Sequence, residues 1–272
     1  MNKKNMTFSH MIDVAEACIE VENQQSKHAI MHAAGLTEEE LDTMWAQKRD
    51  DFFWSHNFGG MNCRADVYKG WAGGLAQNAH YYYRRLQQVY PEVEGKEPRT
   101  LMECAVHMLG SSIIEVADDG MSARGSWYTP GVIFSTLNPD QKKEGIWIWE
   151  RYGNDFVKED DEWYILSQHV CNDYGGAMDK DNWAQVAYER MTQPPMPRPQ
   201  PEPADDGSLP GAPWAPMRLF YASYSPVQTP QNACPWPSPY KTFDREHTSY
   251  CVPFAEGEYS ITYPIPDHPF MP

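Results

Sequence analysis

Histidines are the residues of this sequence best suited to move protons near neutral pH, because the imidazole pKa lies close to that range. His107 lies in a segment rich in β-branched residues, just before an acidic turn. An imidazole held there could give or take a proton, whereas a core histidine would only hydrogen bond to the backbone. We predict that His107 is the principal catalytic acid or base.

His28 and His32 are the second candidates, four residues apart in a segment with helical spacing. Residues at this separation share one face of a helix, so both could face a pocket, or both could be solvated. A metal site needs a third ligand, and the sequence offers no clear one. We therefore predict catalytic roles for His28 and His32 and no bound metal.

The element that must position these two histidines is a long helix. Apolar residues at spacings of three and four predict it over residues 8–33. Ser9 is the predicted N-cap, and Gly35 is the predicted stop. Thr37 with Glu40 three residues later has the pattern of a capping box and predicts a second helix.

A third helix is predicted over residues 71–89, before Pro91. After it, the sequence becomes rich in β-branched and aromatic residues separated by turn signals. Helices followed by a run of neighbouring strands indicate an α+β domain with an antiparallel meander. Strands are predicted at 106–116, 123–135, 146–157 and 163–170.

Proline divides the chain into two parts. Only four of the 23 prolines precede residue 194. Such density excludes a regular helix or a central strand, so residues 193–216 read as a linker. The following residues are rich in aromatics, which disordered tails usually lack. We predict a domain over 1–192 and an extended arm over 193–272, lying on its own domain or on a neighbouring subunit.

Charge and cysteine usage exclude several functions and locations. The net charge of −16 argues against nucleic-acid binding and against an anionic membrane surface. No apolar run approaches the roughly 20 residues of a membrane span. The six cysteines are scattered and form no CxxC pair, which favours reduced thiols over disulfides. These features predict a cytoplasmic protein.

Three blocks of residues, in this order, resemble the SnoaL-like branch of the nuclear-transport-factor-2-like superfamily. The first is His107-Met108 with Ile114-Glu115-Val116, the second runs from Ala123 to Gly131 and includes Trp127-Tyr128, and the third joins Gly145-Ile146-Trp147 and Arg151-Tyr152 to Trp163-Tyr164-Ile165-Leu166. The resemblance covers about residues 9–175. It implies an α+β cone, in which N-terminal helices pack on a strongly bent, mostly antiparallel sheet.

The resemblance also implies a deep apolar pocket with one or two titratable groups and no cofactor. Such a pocket shifts pKa values and strengthens hydrogen bonds to developing charge. By analogy Trp127 lines the pocket, although Trp127 and Tyr128 could both simply pack in the core. The loop that carries Trp54 and His56 is expected to be mobile at the cone mouth. The predicted substrate-binding residues are Trp127, Tyr128, His169, Asn172, Trp54 and His56.

Two departures from the dehydratase-like relatives leave the mechanism open. Those relatives carry a carboxylate near the end of the first helix, where residues 27–34 here hold histidines and no carboxylate. Their arginine at the end of the last strand falls near Asn172. His169 could face the pocket or the reverse side, since alternation alone does not say which face of its strand is inside.

These observations predict a cofactor-independent lyase, dehydratase or isomerase that acts on a hydrophobic, aromatic or polycyclic hydroxylated compound. The alternative is a non-catalytic protein that binds a small ligand in the same cone. We also expect a homo-oligomer, a dimer or trimer packed through the open sheet face, with the arm possibly crossing between subunits.

Overall fold

The computed structural model describes residues 7–56, 59–72, 91–95, 103–135, 144–177, 217–219, 236–245 and 251–253. N-terminal helices precede and pack on a curved, open sheet whose strand pairs are all antiparallel except one. The predicted α+β cone is therefore confirmed. None of the described helices is both long and apolar enough to cross a membrane.

Helix α1 spans Phe8–Ala33. Its N-cap is Thr7, whose hydroxyl accepts a hydrogen bond from the backbone nitrogen of His10 at 3.2 Å. The prediction of Ser9 as the cap was wrong, because Ser9 is already helical. The predicted stop is confirmed: Gly35 has a φ of +70°, a conformation that glycine adopts without steric cost.

Helix α2 spans Thr37–Met44. The predicted capping box was wrong, since Leu36 is the N-cap residue and, within the described chain, makes no side-chain cap hydrogen bond. Glu40 is fully buried instead, turned toward α1. Helix α3 spans Arg64–Val67 and runs into one wider turn, Tyr68–Ala72. The rest of the predicted third helix lies outside the described residues.

The main sheet has the strand order β2-β1-β7-β6-β5-β3, with β4 also paired to β5. Strand β1 runs parallel to β7 and the other pairs are antiparallel. Two shifts in the register between β6 and β7 mark bulges, which bend a sheet. The strands of this sheet are β1 Phe53–His56, β2 Gly59–Met61, β3 Glu103–His107, β4 Ser112–Val116, β5 Ser122–Ser135, β6 Glu144–Glu159 and β7 Glu162–Ala177.

Two predicted boundaries were wrong. The single strand expected over 106–116 is broken into β3 and β4 near Gly110. The Gly110 backbone nitrogen donates to the carbonyl of Tyr128 at 2.7 Å, and a Cβ on Gly110 would lie only 3.1 Å from that oxygen. The expected mobile loop around Trp54 and His56 is strand β1, paired on both sides.

The two faces of the sheet are covered by different parts of the chain. We call the side toward α1 and α2 the inner face and the opposite side the outer face. Side chains alternate along a strand, and neighbours on β7 show the division: Gln168 contacts His28 of α1, while His169 contacts Ser55 and Cys251.

Two described segments of the C-terminal part contact the domain. We call residues 236–245 and 251–253 the C-terminal cover. Backbone nitrogens of Asp118 and Asp119 donate to the carbonyls of Tyr240 and Lys241 at 3.0 and 3.1 Å. Strand β9, Cys251–Pro253, belongs to the cover. It pairs with strand β8, Met217–Leu219, which lies outside the cover. The domain boundary at residue 192, the oligomer and the crossing of the arm between subunits stay predictions.

Candidate active site

Three histidines form a column on the inner face. His28 and His32 lie one turn apart near the end of α1, and His107 is the last residue of β3. The ring centroids are 5.8 Å apart between His28 and His32, which stack, and 5.1 Å apart between His32 and His107. The structure thus brings together the three residues predicted to be catalytic, and their catalytic roles stay a prediction.

At one end of the column, His28 is held between Glu40 and Gln168. The Nδ1–H of His28 donates to Glu40 Oε1 at 2.7 Å, since a carboxylate can only accept. The Gln168 amide nitrogen lies 2.7 Å from His28 Nε2 and donates to it. Trp45 Nε1 donates to the same Glu40 oxygen at 2.9 Å. Both ring nitrogens of His28 are therefore held in hydrogen bonds, which fixes the orientation of the imidazole.

At the other end, His107 Nδ1 lies 3.2 Å from Glu150 Oε2 on β6. The side chains of His107 and Glu150 are only 6% and 5% exposed. The distance is that of an ion pair, but the angles do not make a hydrogen bond, so both atoms lack a hydrogen-bond partner among the described residues. A small rotation of either side chain would form that bond and fix the imidazole orientation.

Aromatic rings surround the column. Tyr152 lies 5.7 Å from the rings of both His28 and His107. Trp71 lies 6.0 Å from His32 and stacks on Trp54 at 5.5 Å. These walls are apolar and flat, so they favour a ring-shaped ligand through stacked and edge contacts.

Burial shifts the pKa values of two groups in this region. Burial, reinforced by His28, His107 and His56, lowers the pKa of His32 well below 6.5, so His32 is neutral at pH 7. Burial, followed by the charges of Glu150 and Glu40, raises the pKa of Tyr152 well above 10. Tyr152 therefore keeps its proton at pH 7.

Several buried polar atoms of this region have no hydrogen-bond partner in the described part of the chain. Buried groups left in this state cost free energy, and in native proteins they call for an explanation. A polar ligand would supply the missing partners. The atoms that a ligand would complete are His32 Nδ1, Glu40 Oε2 and Gln168 Oε1. His107 Nδ1 and Glu150 Oε2 also lack a hydrogen bond among the described residues, but they lie close enough to pair with each other.

Three of the predicted substrate-binding residues, Trp54, His56 and Trp127, lie on the inner face of the sheet. Trp54 contacts the Trp71 wall, and the His56 ring meets Trp54 edge-on at 4.8 Å. Trp127 is buried and packs on Phe156 in the core, with its N–H 3.4 Å from Glu22.

The other three predicted residues do not line the column. Tyr128 is 40% exposed, and it alternates with Trp127, so it lies on the outer face. His169 is buried on the outer face, which corrects its placement in the pocket. The Asn172 backbone pairs with Glu150, and its side chain lies outside the described residues.

Sequence reasoning missed Glu40, Glu150 and Gln168. Glu40 was assigned to a helix cap, yet it supplies the carboxylate that residues 27–34 lack. The sequence did contain a signal for Glu150. It lies two residues from apolar Ile148 and two from aromatic Tyr152 on one strand, so the three side chains share a face. Among the described residues, no His, Cys, Asp or Glu side chains form a group of three that could hold a metal ion.

A second polar cluster lies on the outer face. His169 Nδ1 is 2.8 Å from Ser55 Oγ, and Cys251 Sγ of the cover lies 3.2 Å from each of these atoms. All three residues are at most 1% exposed. Burial, followed by His56 and Arg151, lowers the pKa of His169 to about 3. Burial also raises the pKa of the Cys251 thiol, so the thiol keeps its proton at pH 7, and its contacts join the C-terminal cover to the sheet.

Comparison with known proteins places residues 15–169 in a sequence family described as the SnoaL-like domain. No curated protein sequence matches the chain. Several solved structures resemble it. A type 3 hexachlorocyclohexane dehydrochlorinase from Novosphingobium barchaimii is 12% identical, covers 62% of this chain and 94% of its own length, and has a TM-score of 0.41.

Two further similar structures come from Novosphingobium aromaticivorans. A proposed scytalone dehydratase is 13% identical over 62% of this chain and 93% of its own, with a TM-score of 0.44. An NTF2-like protein with a cystatin-like fold is 13% identical over 67% of this chain and 97% of its own, with a TM-score of 0.36.

Proposed function

The chain belongs to the SnoaL-like domain family, and on this premise we propose that it is a cofactor-independent enzyme that performs acid–base chemistry on a hydrophobic ring compound. The proposed reaction is a lyase, dehydratase or isomerase reaction. One observation carries the proposal: the histidine column lies between two buried carboxylates and against aromatic walls. A core histidine would need neither the second histidine nor the carboxylate.

His107 is the proposed acid and base. In the proposed reaction, the Glu150 side chain rotates to accept a hydrogen bond from His107 Nδ1–H, which leaves Nε2 to accept a proton from a carbon of the substrate. The electron pair of that C–H bond then forms a new double bond. The proton on His107 returns either to a departing hydroxyl, which gives water and an alkene, or to a second carbon, which gives an isomer.

His32 stays neutral because its pKa is lowered by burial. A neutral imidazole beside His107 can donate a hydrogen bond to developing negative charge without repelling the positive charge that His107 acquires. A protonated His32 would oppose the proton transfer. The proposed role of His32 is therefore to stabilise the charged intermediate, not to remove the proton.

The aromatic walls support the proposed substrate class. Trp71 and Tyr152 present their rings to the column, and Trp54 stacks on Trp71 behind it. Buried apolar surroundings exclude water, which strengthens each hydrogen bond to a substrate oxygen. We therefore assign the substrate as an aromatic or polycyclic ring compound with a hydroxyl or carbonyl next to the reacting carbon.

The test is a turnover screen of ring alcohols and ring ketones, read by mass spectrometry for loss of water and by NMR for proton exchange in D₂O. Wild-type protein is expected to convert or exchange at least one compound, and His107→Gln to lose that activity. His10→Gln is the matched control, because His10 lies about 27 Å from His28 along the same helix. Tight binding without turnover or exchange would favour the non-catalytic alternative.

A further inference from the structure

Glu40 can accept more hydrogen bonds than its neighbours in the described chain donate to it. Its Oε1 accepts from both His28 Nδ1 and Trp45 Nε1, at 2.7 and 2.9 Å. Its Oε2 is buried without a hydrogen-bond partner among the described residues, and the residue is 0% exposed. A buried charged oxygen in this state is far less stable than one that accepts from a donor.

Gln168 presents a second acceptor on the other side of His28. Its amide nitrogen is used by His28 Nε2, and its Oε1 is buried and unpaired within the described residues. The sheet directs the cationic side chains of the adjoining strands to the other face: Arg151 donates to Cys171, and Arg124 lies 3.4 Å from Asp155. The inner face around Glu40 thus offers acceptors.

We propose that Glu40 is a substrate-contacting, specificity-determining residue whose free oxygen accepts a hydrogen bond from a donor head group on the ligand, with a protonated amine bound best. This inference rests on the proposed function, because the ligand is the ring compound that is proposed to bind at the same site. A carboxylate head group is excluded, because it would place two like charges against each other in a buried setting.

The aromatic walls agree with a cationic head group. Faces of tryptophan and tyrosine attract ammonium groups, and Trp71 and Tyr152 both lie next to the column that Glu40 bounds. The net charge of −16 adds a long-range attraction for a cationic ligand and a repulsion for an anionic one. An alcohol can donate to Glu40 but lacks both charge terms, so it ranks between the amine and the acid.

Three indoles that differ only in head group test this directly: tryptamine, tryptophol and indole-3-acetate. Calorimetry on the full chain is expected to rank them amine, alcohol, acid, with about a tenfold step between the first two, the size expected for the charge of a desolvated cation next to aromatic rings. Indole-3-acetate binding as tightly as tryptamine, or no indole binding at all, would overturn the proposal.

Glu40→Gln sharpens the test. The glutamine Oε1 can still accept from His28 and Trp45, while an NH₂ donor replaces Oε2. Tryptamine affinity is then expected to fall at least about tenfold and indole-3-acetate affinity to rise. Glu38→Gln, an exposed residue on the same helix, is the matched control. An unchanged ranking in a folded Glu40→Gln variant overturns the proposal, and the wild-type ranking decides alone if that variant does not fold.

The outcome is separable from that of the proposed function. A protein that turns over ring alcohols through His107 but shows no preference for the amine keeps its function and loses the role of Glu40. A protein that shows the preference and its reversal in Glu40→Gln, yet catalyses nothing, keeps the role of Glu40 and loses the enzyme.

Discussion

Gln168 and His169 are neighbours on β7, yet they lie on opposite faces of the sheet in different surroundings. On the inner face, Gln168 belongs to a group of buried polar residues, several of whose atoms have no hydrogen-bond partner among the described residues. On the outer face, His169 bonds with Ser55 and Cys251, and each of the three contacts the other two. Residues of similar polarity thus keep buried acceptors without donors on one side, within the described residues, and join the sheet to the C-terminal cover on the other.

The difference lies in what covers each face. The outer face is covered by the C-terminal cover, whose Cys251 contacts both Ser55 and His169 of the sheet. The inner column is covered by helices that bring their own histidines and a carboxylate, and among the described residues Glu40 Oε2 and Gln168 Oε1 keep no donor. Catalytic sites often retain such unsatisfied groups, because the substrate completes them.

The largest contrast between the faces is expected in turnover. His107→Gln should lower kcat by about 10²- to 10⁴-fold, the usual range for loss of a general acid or base. His169→Gln on the outer face should leave kcat unchanged within about twofold. Steady-state rates on a compound found by the screen would check both. Equal losses in the two variants would remove the distinction between the faces.

The second contrast is in the pH dependence of stability. His169 has a folded pKa of about 3 against an ordinary value of 6.5, so the unfolded chain binds more protons between these values. Stability due to this residue is complete above pH 6.5 and falls as the pH drops toward 3, by about 1.4 kcal/mol per unit.

Urea denaturation of wild type and His169→Gln isolates this effect. Wild type should lose roughly 2 kcal/mol more than the variant between pH 6.5 and pH 4.5. His107→Gln serves as the inner-face comparison, measured in the same buffers. Parallel curves for wild type and His169→Gln would show that His169 is not held neutral by burial.

A smaller change tests the hydrogen bonds of the outer cluster. Ser55→Ala leaves His169 Nδ1 with Cys251 as its remaining partner in the cluster, so we expect a loss of about 1–2 kcal/mol in the free energy of unfolding. Ligand affinity on the inner face should not change. A loss of affinity without a loss of stability would mean that Ser55 acts on the site.

The smallest expected effect concerns the C-terminal cover itself. Tyr240 donates to Ser122 at 3.0 Å, and the Arg124 guanidinium lies 4.0 Å from its ring centroid. Tyr240→Leu should destabilise the docked cover by about 1 kcal/mol. Alkylation of Cys251, followed by peptide mapping under native conditions, should then become about fivefold faster. An unchanged rate would show that this contact does not hold the cover.

The sequence predicted the elements set by local pattern. The end of α1 at Gly35 and the strands β5, β6 and β7 follow from residues close together in the chain. The break between β3 and β4 was missed, because it depends on the close approach of Gly110 to Tyr128, which becomes visible only when the strands pair.

For the same reason, the sequence predicted only part of the site. His28 and His32 share a helix face by spacing, and the resemblance suggested His107. Glu40 and Gln168 were missed because their contacts with His28 join positions 12 and 140 residues apart. Alternation gave two possible faces for His169, and only the position of the helices selects one.

The central claim is that the inner-face column binds and transforms a ring compound. The most direct measurement is a crystal structure of the chain with the tightest-binding compound from the screens. We predict the ring against Trp71 and Tyr152, with its donor on Glu40 and a reacting carbon within reach of His107 Nε2. A ligand bound on the outer face, or elsewhere on the surface with the column unchanged, would contradict the account.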